Sequence, residues 1–180
     1  ILKSFNRAWS QVNVVIVPLS TPPLLVALAA GEIDLTLTTQ EKVGEGGEVL
    51  MADTLAWAGA PDGRAHNNNP LPIAFGDKQC AFRASALKAL AGAGREWRSV
   101  SEEGNMLSIY AALEADLAVG PLLASAIPDG LVVLPPEAQL PALPSFSINM
   151  YLPKSGGSEI GQELARHIRE QFHARHHRAA

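Results

Sequence analysis

The hydrophobic pattern near the start of the chain changes its period twice. The β-branched run Val12–Val17 predicts a buried strand, and the leucines after Thr21 recur at helical spacing, so Thr21 is predicted to cap a helix. Gly31 ends that helix because glycine adopts the left-handed conformation at little cost. Ile33–Thr38 then predicts a second strand. The segment therefore predicts a strand–helix–strand unit whose strand ends carry small hydroxyl side chains.

The same spacing rules predict the remaining elements. Helices are expected at Ile1–Ser10, Phe82–Ala91, Asn105–Ala115 and Glu159–Arg175. Extended segments are expected at Val49–Ala58, Leu71–Phe75, Trp97–Val100, Leu117–Val119, Leu131–Leu134 and Ser145–Leu152. In the third of these helices, the residues expected to face inward are Met106, Ile109, Tyr110 and Leu113. Strands that alternate with helices predict a parallel sheet in the middle of the chain.

Two turn-rich stretches divide the pattern. The first joins Gly59–Gly63 to Asn67–Pro70, and the second is the proline-rich stretch between residues 135 and 144. We therefore expect lobe I to comprise residues 1–63 and 145–180, and lobe II to comprise residues 64–144. The predicted fold class is α/β, with two Rossmann-like lobes and two crossovers.

Composition and charge narrow the function. Of the 180 residues, 47% are hydrophobic, and the net charge of −4 argues against a surface that grips a nucleic-acid backbone. The single cysteine, Cys80, allows no internal disulfide, which suits a cytoplasmic protein. No apolar run reaches the roughly 18 residues of a membrane span, and the first residues lack a signal-peptide layout. We expect no membrane association and interpret the chain as a fragment that begins inside a helix.

Several segments resemble one family in order and spacing. They are Leu28–Leu35, Trp57–Pro61, Pro70–Phe75, Cys80–Arg83, Ala111–Val119 and Ile127–Leu131. Together they resemble the effector-binding domain of LysR-type transcriptional regulators. The chain departs from that family at Asp116, where glycine is usual, at Leu123, where proline is often found, and in lacking the strand that normally opens the domain.

The resemblance implies a periplasmic-binding-protein-like (type 2) fold with a ligand cleft between the lobes. It implies a bacterial sensor domain that binds a small metabolite, an organic acid or another small polar anion. It also implies a homodimer or homotetramer, in which Ile1–Ser10 and Val12–Val17 of one subunit pack against the second lobe of another. Promoter DNA would be bound by a winged helix-turn-helix preceding this fragment. No cofactor and no catalytic residue are expected.

The candidate ligand contacts lie at strand ends and helix starts, where open α/β sheets bind ligands. In lobe I, Thr21 is the first candidate, because a helix N-terminus favours an anion. Its neighbour Ser20 is a weaker candidate, and Thr38 and Thr39 end the next strand, with alternation directing only one of them inward. The candidates in lobe II are Cys80, Phe82, Ser101, Gly120 and Pro121.

Other chemistries and functions receive less support from the sequence. Cys80 resembles the reactive cysteine of peroxide sensors, but a two-cysteine switch is impossible with one thiol. Redox sensing by this thiol alone is the disfavoured alternative to a small half-buried residue. Glu102–Gly104 after Ser101 is interpreted as a solvated turn, Phe146 as core, and His173 with His177 as a basic terminus, so no metal site is expected. The alternative function is an exported solute-binding protein of a transporter, for which a signal peptide and a monomer are expected. An enzyme is disfavoured because no nucleophile–base pair is visible.

Overall fold

The computed structural model describes residues 1–101 and 105–179, with side chains as far as residue 174. Contacts divide it into two compact units. Unit 1 comprises Ile1–Ala52 and Ser147–Ala180, and unit 2 comprises Asp53–Phe146. The lobe limits expected from the sequence, at residues 63 and 145, stay predictions. The turn at Glu102–Gly104 lies outside the described residues.

The described elements alternate along most of the chain. The α-helices are α1 (Leu2–Ala8), α2 (Thr21–Ala29), α3 (Ala81–Gly92), α4 (Met106–Glu114) and α5 (Glu159–Ala179). The strands are β1 (Thr36–Gln40), β2 (Gly47–Gly59), β3 (Leu71–Ala74), β4 (Trp97–Ser101), β5 (Gly120–Leu123), β6 (Val132–Val133) and β7 (Ser145–Tyr151). Short 3₁₀ turns occur at Ala65–Asn67, Ala124–Ala126 and Pro136–Ala138.

Unit 1 is built on the antiparallel pair of β1 and β7. Thr36 lies opposite Tyr151 and Thr38 opposite Asn149, so the side chains of these four residues share one face. The other face contributes Met150 to an apolar cluster with residues of α5. The helix α1 docks on α5 where the Ser4 hydroxyl lies 2.8 Å from His167 Nε2. The sheet therefore has one apolar and one polar buried face.

Unit 2 contains the parallel pair of β3 and β4 and the antiparallel pairing of the second half of β2 with β5 and β6. Two buried clusters fill it: one around Leu71, Ile73 and Leu90, the other around Ile109 and Leu113. The expectation of parallel strands in the middle of the chain is confirmed for β3 and β4.

The predicted buried strand at Val12–Val17 is wrong. Within the described residues this segment forms no strand, and Val15 and Ile16 are 75% and 68% exposed. A β-branched sequence favours a strand only where another strand pairs with it and covers it. No described strand pairs with this segment, and Val15, Ile16 and Val17 remain exposed. The strand–helix–strand unit predicted around α2 is therefore incomplete.

Three smaller expectations also need correction. The strand predicted at Leu117–Val119 begins only at Gly120, because Val119 makes a single bridge to Ile73 before β5 turns to pair with β2. Met106, expected to face inward, is 48% exposed at the first position of α4, whereas Ile109 and Leu113 are buried as expected. The predicted strand Ile33–Thr38 is shifted, since β1 runs from Thr36 to Gln40.

Candidate functional site

The start of α2 holds the first two candidate residues. Ser20, not Thr21, is the N-cap, and Thr21 is the first residue of the helix. Both are half-buried. Pro22 and Pro23 follow and have no N–H groups, while the N–H of Leu24 is already donated to the Ser20 carbonyl over 3.3 Å. An anion at this end would therefore depend on hydroxyl groups more than on backbone amides.

Thr38 and Thr39 point to opposite faces of β1, as the alternation of a strand requires. Thr38 is buried, and its hydroxyl donates to Gln40 Oε1 over 2.9 Å. Thr39 is half-buried. Alternation therefore places Thr38, and not Thr39, beside Gln40; which of the two faces a ligand stays a prediction.

Gln40 is the centre of a buried polar cluster that the sequence analysis did not identify. Besides Thr38, the Tyr151 hydroxyl donates to Gln40 Oε1 over 2.7 Å and Asn149 Nδ2 donates over 3.3 Å. The N–H of Gly44 in turn donates to the Tyr151 oxygen over 2.7 Å. We call Thr38, Gln40, Asn149 and Tyr151 the Gln40 cluster. The feature of the sequence that could have indicated this cluster is the alternation of polar residues along β7.

The glycine-rich turn between β1 and β2 explains how this cluster is closed. The Tyr151 ring lies so near Gly47 that a Cβ at this position would overlap it. Glycine is therefore required for the close approach, and the turn packs on a ring rather than cradling a phosphate.

In unit 2, Cys80 and Phe82 lie at the beginning of α3. Cys80 is the half-buried N-cap residue and makes no side-chain capping bond. Phe82 packs edge-on against Phe146, with ring centroids 4.9 Å apart, and Phe146 is buried. The core assignment of Phe146 is confirmed. Arg83, one residue further, lies over the Phe75 ring at 5.2 Å.

Ser101 ends β4 and reaches the end of β3. Its hydroxyl lies 3.5 Å from the Phe75 carbonyl, next to the loop that leads to Cys80. The structure thus brings Ser101 and the start of α3 to the same end of the β3–β4 pair. Gly120 and Pro121 are instead buried inside β5, opposite Ala58 and Trp57. Their backbone groups belong to a strand rather than to an open turn.

Titratable groups form no candidate metal centre in the described part of the chain. No group of three His, Cys, Asp or Glu residues there is placed to hold a metal ion. The side chain of His177 lies outside the described residues.

Hydrogen bonding to Glu48 raises the pKa of Arg169, whose guanidinium lies 2.8 Å from that carboxylate. This ion pair joins α5 to β2 and is a surface contact.

Searching the described helices for a membrane span finds none of sufficient length and apolar character.

Comparison with known proteins identifies the family. The family model of the LysR substrate binding domain matches residues 1–173. The chain belongs to this family. A relative with 27% identity over 169 residues is the HTH-type transcriptional regulator DgdR of Burkholderia cepacia. The alignment covers 94% of this chain and 58% of DgdR, so the chain spans little more than half the length of this relative.

Solved structures show the same fold. The apo regulatory domain of HypT from Salmonella typhimurium has a TM-score of 0.74 at 13% identity, covering 97% of this chain and 90% of HypT. The CcmR regulatory domain of Synechocystis PCC6803 in complex with 2-PG has a TM-score of 0.69 at 14% identity, covering 95% of this chain and 88% of that one. The α/β, periplasmic-binding-protein-like fold expected of a LysR effector-binding domain is confirmed.

Family membership also decides between the function classes. LysR substrate binding domains bind small-molecule effectors in transcriptional regulators, and the relative DgdR is an HTH-type transcriptional regulator. The expectation of a LysR effector-binding domain is confirmed over the solute-binding protein of a transporter, and this domain family is not enzymatic, as expected. The individual ligand contacts stay predictions.

Proposed function

We propose that this LysR substrate binding domain senses a small organic acid or another small polar anion and transmits its binding to promoter DNA. The DNA contact would be made by a winged helix-turn-helix in a part of the protein outside this sequence. The match of the family model over residues 1–173 carries the proposal. The complex of the CcmR domain with 2-PG supports a ligand site in this fold.

The proposed contacts are hydroxyl, aromatic and backbone groups near strand ends and helix starts. They are Ser20, Thr21, Thr38 and Thr39 in unit 1, and Cys80, Phe82, Ser101, Gly120 and Pro121 in unit 2. To act as a signal, the ligand must bind one arrangement of the domain more tightly than another, because equal affinity shifts no equilibrium. The shift would change the geometry of the oligomer and hence of its DNA-binding segments.

Thr21 provides the test of this site. We expect Thr21→Val to abolish or strongly weaken effector binding without unfolding the domain, since valine keeps the shape of threonine but lacks its hydroxyl. The measurement is a thermal-shift screen with mono- and dicarboxylates of two to six carbons, followed by calorimetric titration of each compound that stabilises the protein. Thr54→Val, an exposed threonine on β2, is the matched control. Unchanged affinity in Thr21→Val would remove Thr21 from the site.

We further propose that the domain forms a homodimer or a homotetramer. The exposed segment Val12–Val17 supports this proposal, because Val15 and Ile16 leave apolar area in solvent. The edge strand β4 of another copy presents free backbone groups, and Trp97 there is 39% exposed.

The oligomer is tested by light scattering coupled to gel filtration. We expect Ile16→Lys to shift the protein to monomer, whereas Val26→Lys, an equally exposed valine on α2, leaves the mass unchanged. A mass that is monomeric in the unmodified protein at all concentrations would contradict the proposal.

A further inference from the structure

The Gln40 cluster directs three hydrogen-bond donors at one oxygen. Tyr151 must donate its proton to Gln40 Oε1, because its oxygen already accepts the Gly44 N–H. The Asn149 amide donates to Gln40 Oε1 over 3.3 Å and to the Ser147 carbonyl over 3.2 Å. Thr38 supplies the third donor over 2.9 Å. A carbonyl oxygen has two lone pairs, whereas a carboxylate has about four acceptor positions, so a carboxylate matches this donor set better.

The same cluster contains an acceptor without a donor. Asn149 is fully buried, and its Oδ1 has no hydrogen-bond partner among the described residues. Rotating the amide would not remove the problem, because Oδ1 would then face the Gln40 and Ser147 oxygens. A buried acceptor left unpaired is costly. The oxygen lies next to Nδ2 on the same amide, so a group that bonds it would be adjacent to the position of Gln40 Oε1.

Three members of the cluster are buried and the fourth, Gln40, is partly exposed. Thr38, Asn149 and Tyr151 are buried on β1 and β7, while Gln40 is half-buried at the end of β1. Gln40 can therefore rotate towards solvent without unpairing the strands. Its departure would leave neutral donors and one free acceptor.

We propose that the Gln40 carboxamide occupies a ligand position, and that a small hydroxy acid or amino acid displaces it. The ligand carboxylate accepts from Thr38, Tyr151 and Asn149 Nδ2, and its neighbouring hydroxyl or ammonium group donates to Asn149 Oδ1. This inference rests on the proposed function and names the ligand class for the Thr38 side of the effector site. Acids without a neighbouring donor leave Asn149 Oδ1 unpaired and bind less well.

The test uses glycolate, glycine and acetate, which share a carboxylate and two carbons but differ in the second group. Their affinities are measured by amide chemical-shift titration of the unmodified protein, Gln40→Ala and Gln40→Glu. We expect Gln40→Ala to bind glycolate or glycine about tenfold more tightly than the unmodified protein, which corresponds to Gln40 occupying the position about nine-tenths of the time. Gln40→Glu should bind none of the three, because its own carboxylate fills the position. Acetate should be the weakest of the three ligands for both the unmodified protein and Gln40→Ala.

Gln11→Ala, an exposed glutamine before β1, is the matched control and should bind as the unmodified protein does. Equal affinities of Gln40→Ala and the unmodified protein, or of acetate and glycolate, would overturn the inference. If Gln40→Ala does not fold, Gln40→Glu decides, since it keeps the size of glutamine and retained glycolate binding would also overturn it. If a carboxylate effector loses affinity in Thr21→Val but not in either Gln40 variant, the proposed function stands and this inference fails.

Discussion

Asp116 stands at the end of a helix in a backbone conformation that usually requires glycine. The helices α2 and α3 both end in a residue with positive φ, Gly31 at 73° and Gly94 at 61°. The helix α4 ends in the same way, with Asp116 at a φ of 52° and the same pair of closing backbone hydrogen bonds. This is the position at which the sequence departs from the glycine usual in the family. We predict that replacing Asp116 by glycine destabilises the domain although it relieves the backbone.

The magnitude follows from the contacts of the carboxylate. Asp116 Oδ2 accepts the N–H of Arg64 over 2.8 Å and Oδ1 accepts that of Ala65 over 2.9 Å, so it caps the 3₁₀ turn at Ala65–Asn67. Hydrogen bonds to a charged group contribute about 1.5–3 kcal/mol each, and partial exposure places both at the low end, about 3 kcal/mol together. Glycine at this position relieves about 1 kcal/mol of the strain that the left-handed conformation imposes on aspartate. The net loss for Asp116→Gly is therefore about 2 kcal/mol, or a fall in Tm of about 4–8 °C.

Urea unfolding followed by tryptophan fluorescence measures this loss. Asp116→Asn keeps one acceptor and tolerates the left-handed conformation, so it should lie between the parent and Asp116→Gly. Gly94→Asp is the matched control, because nothing lies within 4 Å of a Cβ there, so the new carboxylate has no backbone N–H close by to cap. We expect it to lose about 1 kcal/mol from strain alone. An Asp116→Gly variant as stable as the parent would refute the reasoning.

Three further substitutions test other parts of the structure by the same unfolding assay. Gly47→Ala should lower the free energy of unfolding by about 1–3 kcal/mol, because the new methyl group overlaps the Tyr151 ring. A smaller loss would show that the ring can move freely. Leu113→Ala, in the core of unit 2, should cost about 2–5 kcal/mol, and an unchanged midpoint would contradict its burial. Arg169→Met should cost less than about 1 kcal/mol, because its ion pair with Glu48 is partly exposed, and the difference should shrink further in high salt.

Local patterns predicted the helices well. The ends of α2 and α3 follow from Gly31 and Gly94, because the left-handed residue that closes a helix is visible as glycine. The end of α4 was also predicted, but not the role of Asp116. Its two partners lie about 50 residues earlier in the chain, and no local pattern reports on them.

Pairing between distant strands was the part that local patterns could not supply. Val12–Val17 has a stronger strand composition than β1, yet only β1 is paired, because Thr36–Gln40 meets Ser147–Tyr151. That register also creates the Gln40 cluster, which combines residues more than 100 positions apart. The strand-end position of Thr38 could be predicted from the sequence. Its partners Asn149 and Tyr151 could not be predicted, since alternation along β7 marks a polar face but not what that face meets.

The exposed segment Val12–Val17 also has a consequence for how the domain is cut. A protease binds its substrate in an extended conformation, and this segment lies outside every described helix and strand, with Val15 and Ile16 largely exposed to solvent. Limited digestion with an elastase-like protease, which prefers small aliphatic residues, should therefore cleave here before it cleaves β1 or β3. The rate of that first cut then reports on whatever covers the segment, because a partner that pairs with it would have to leave before the protease could bind.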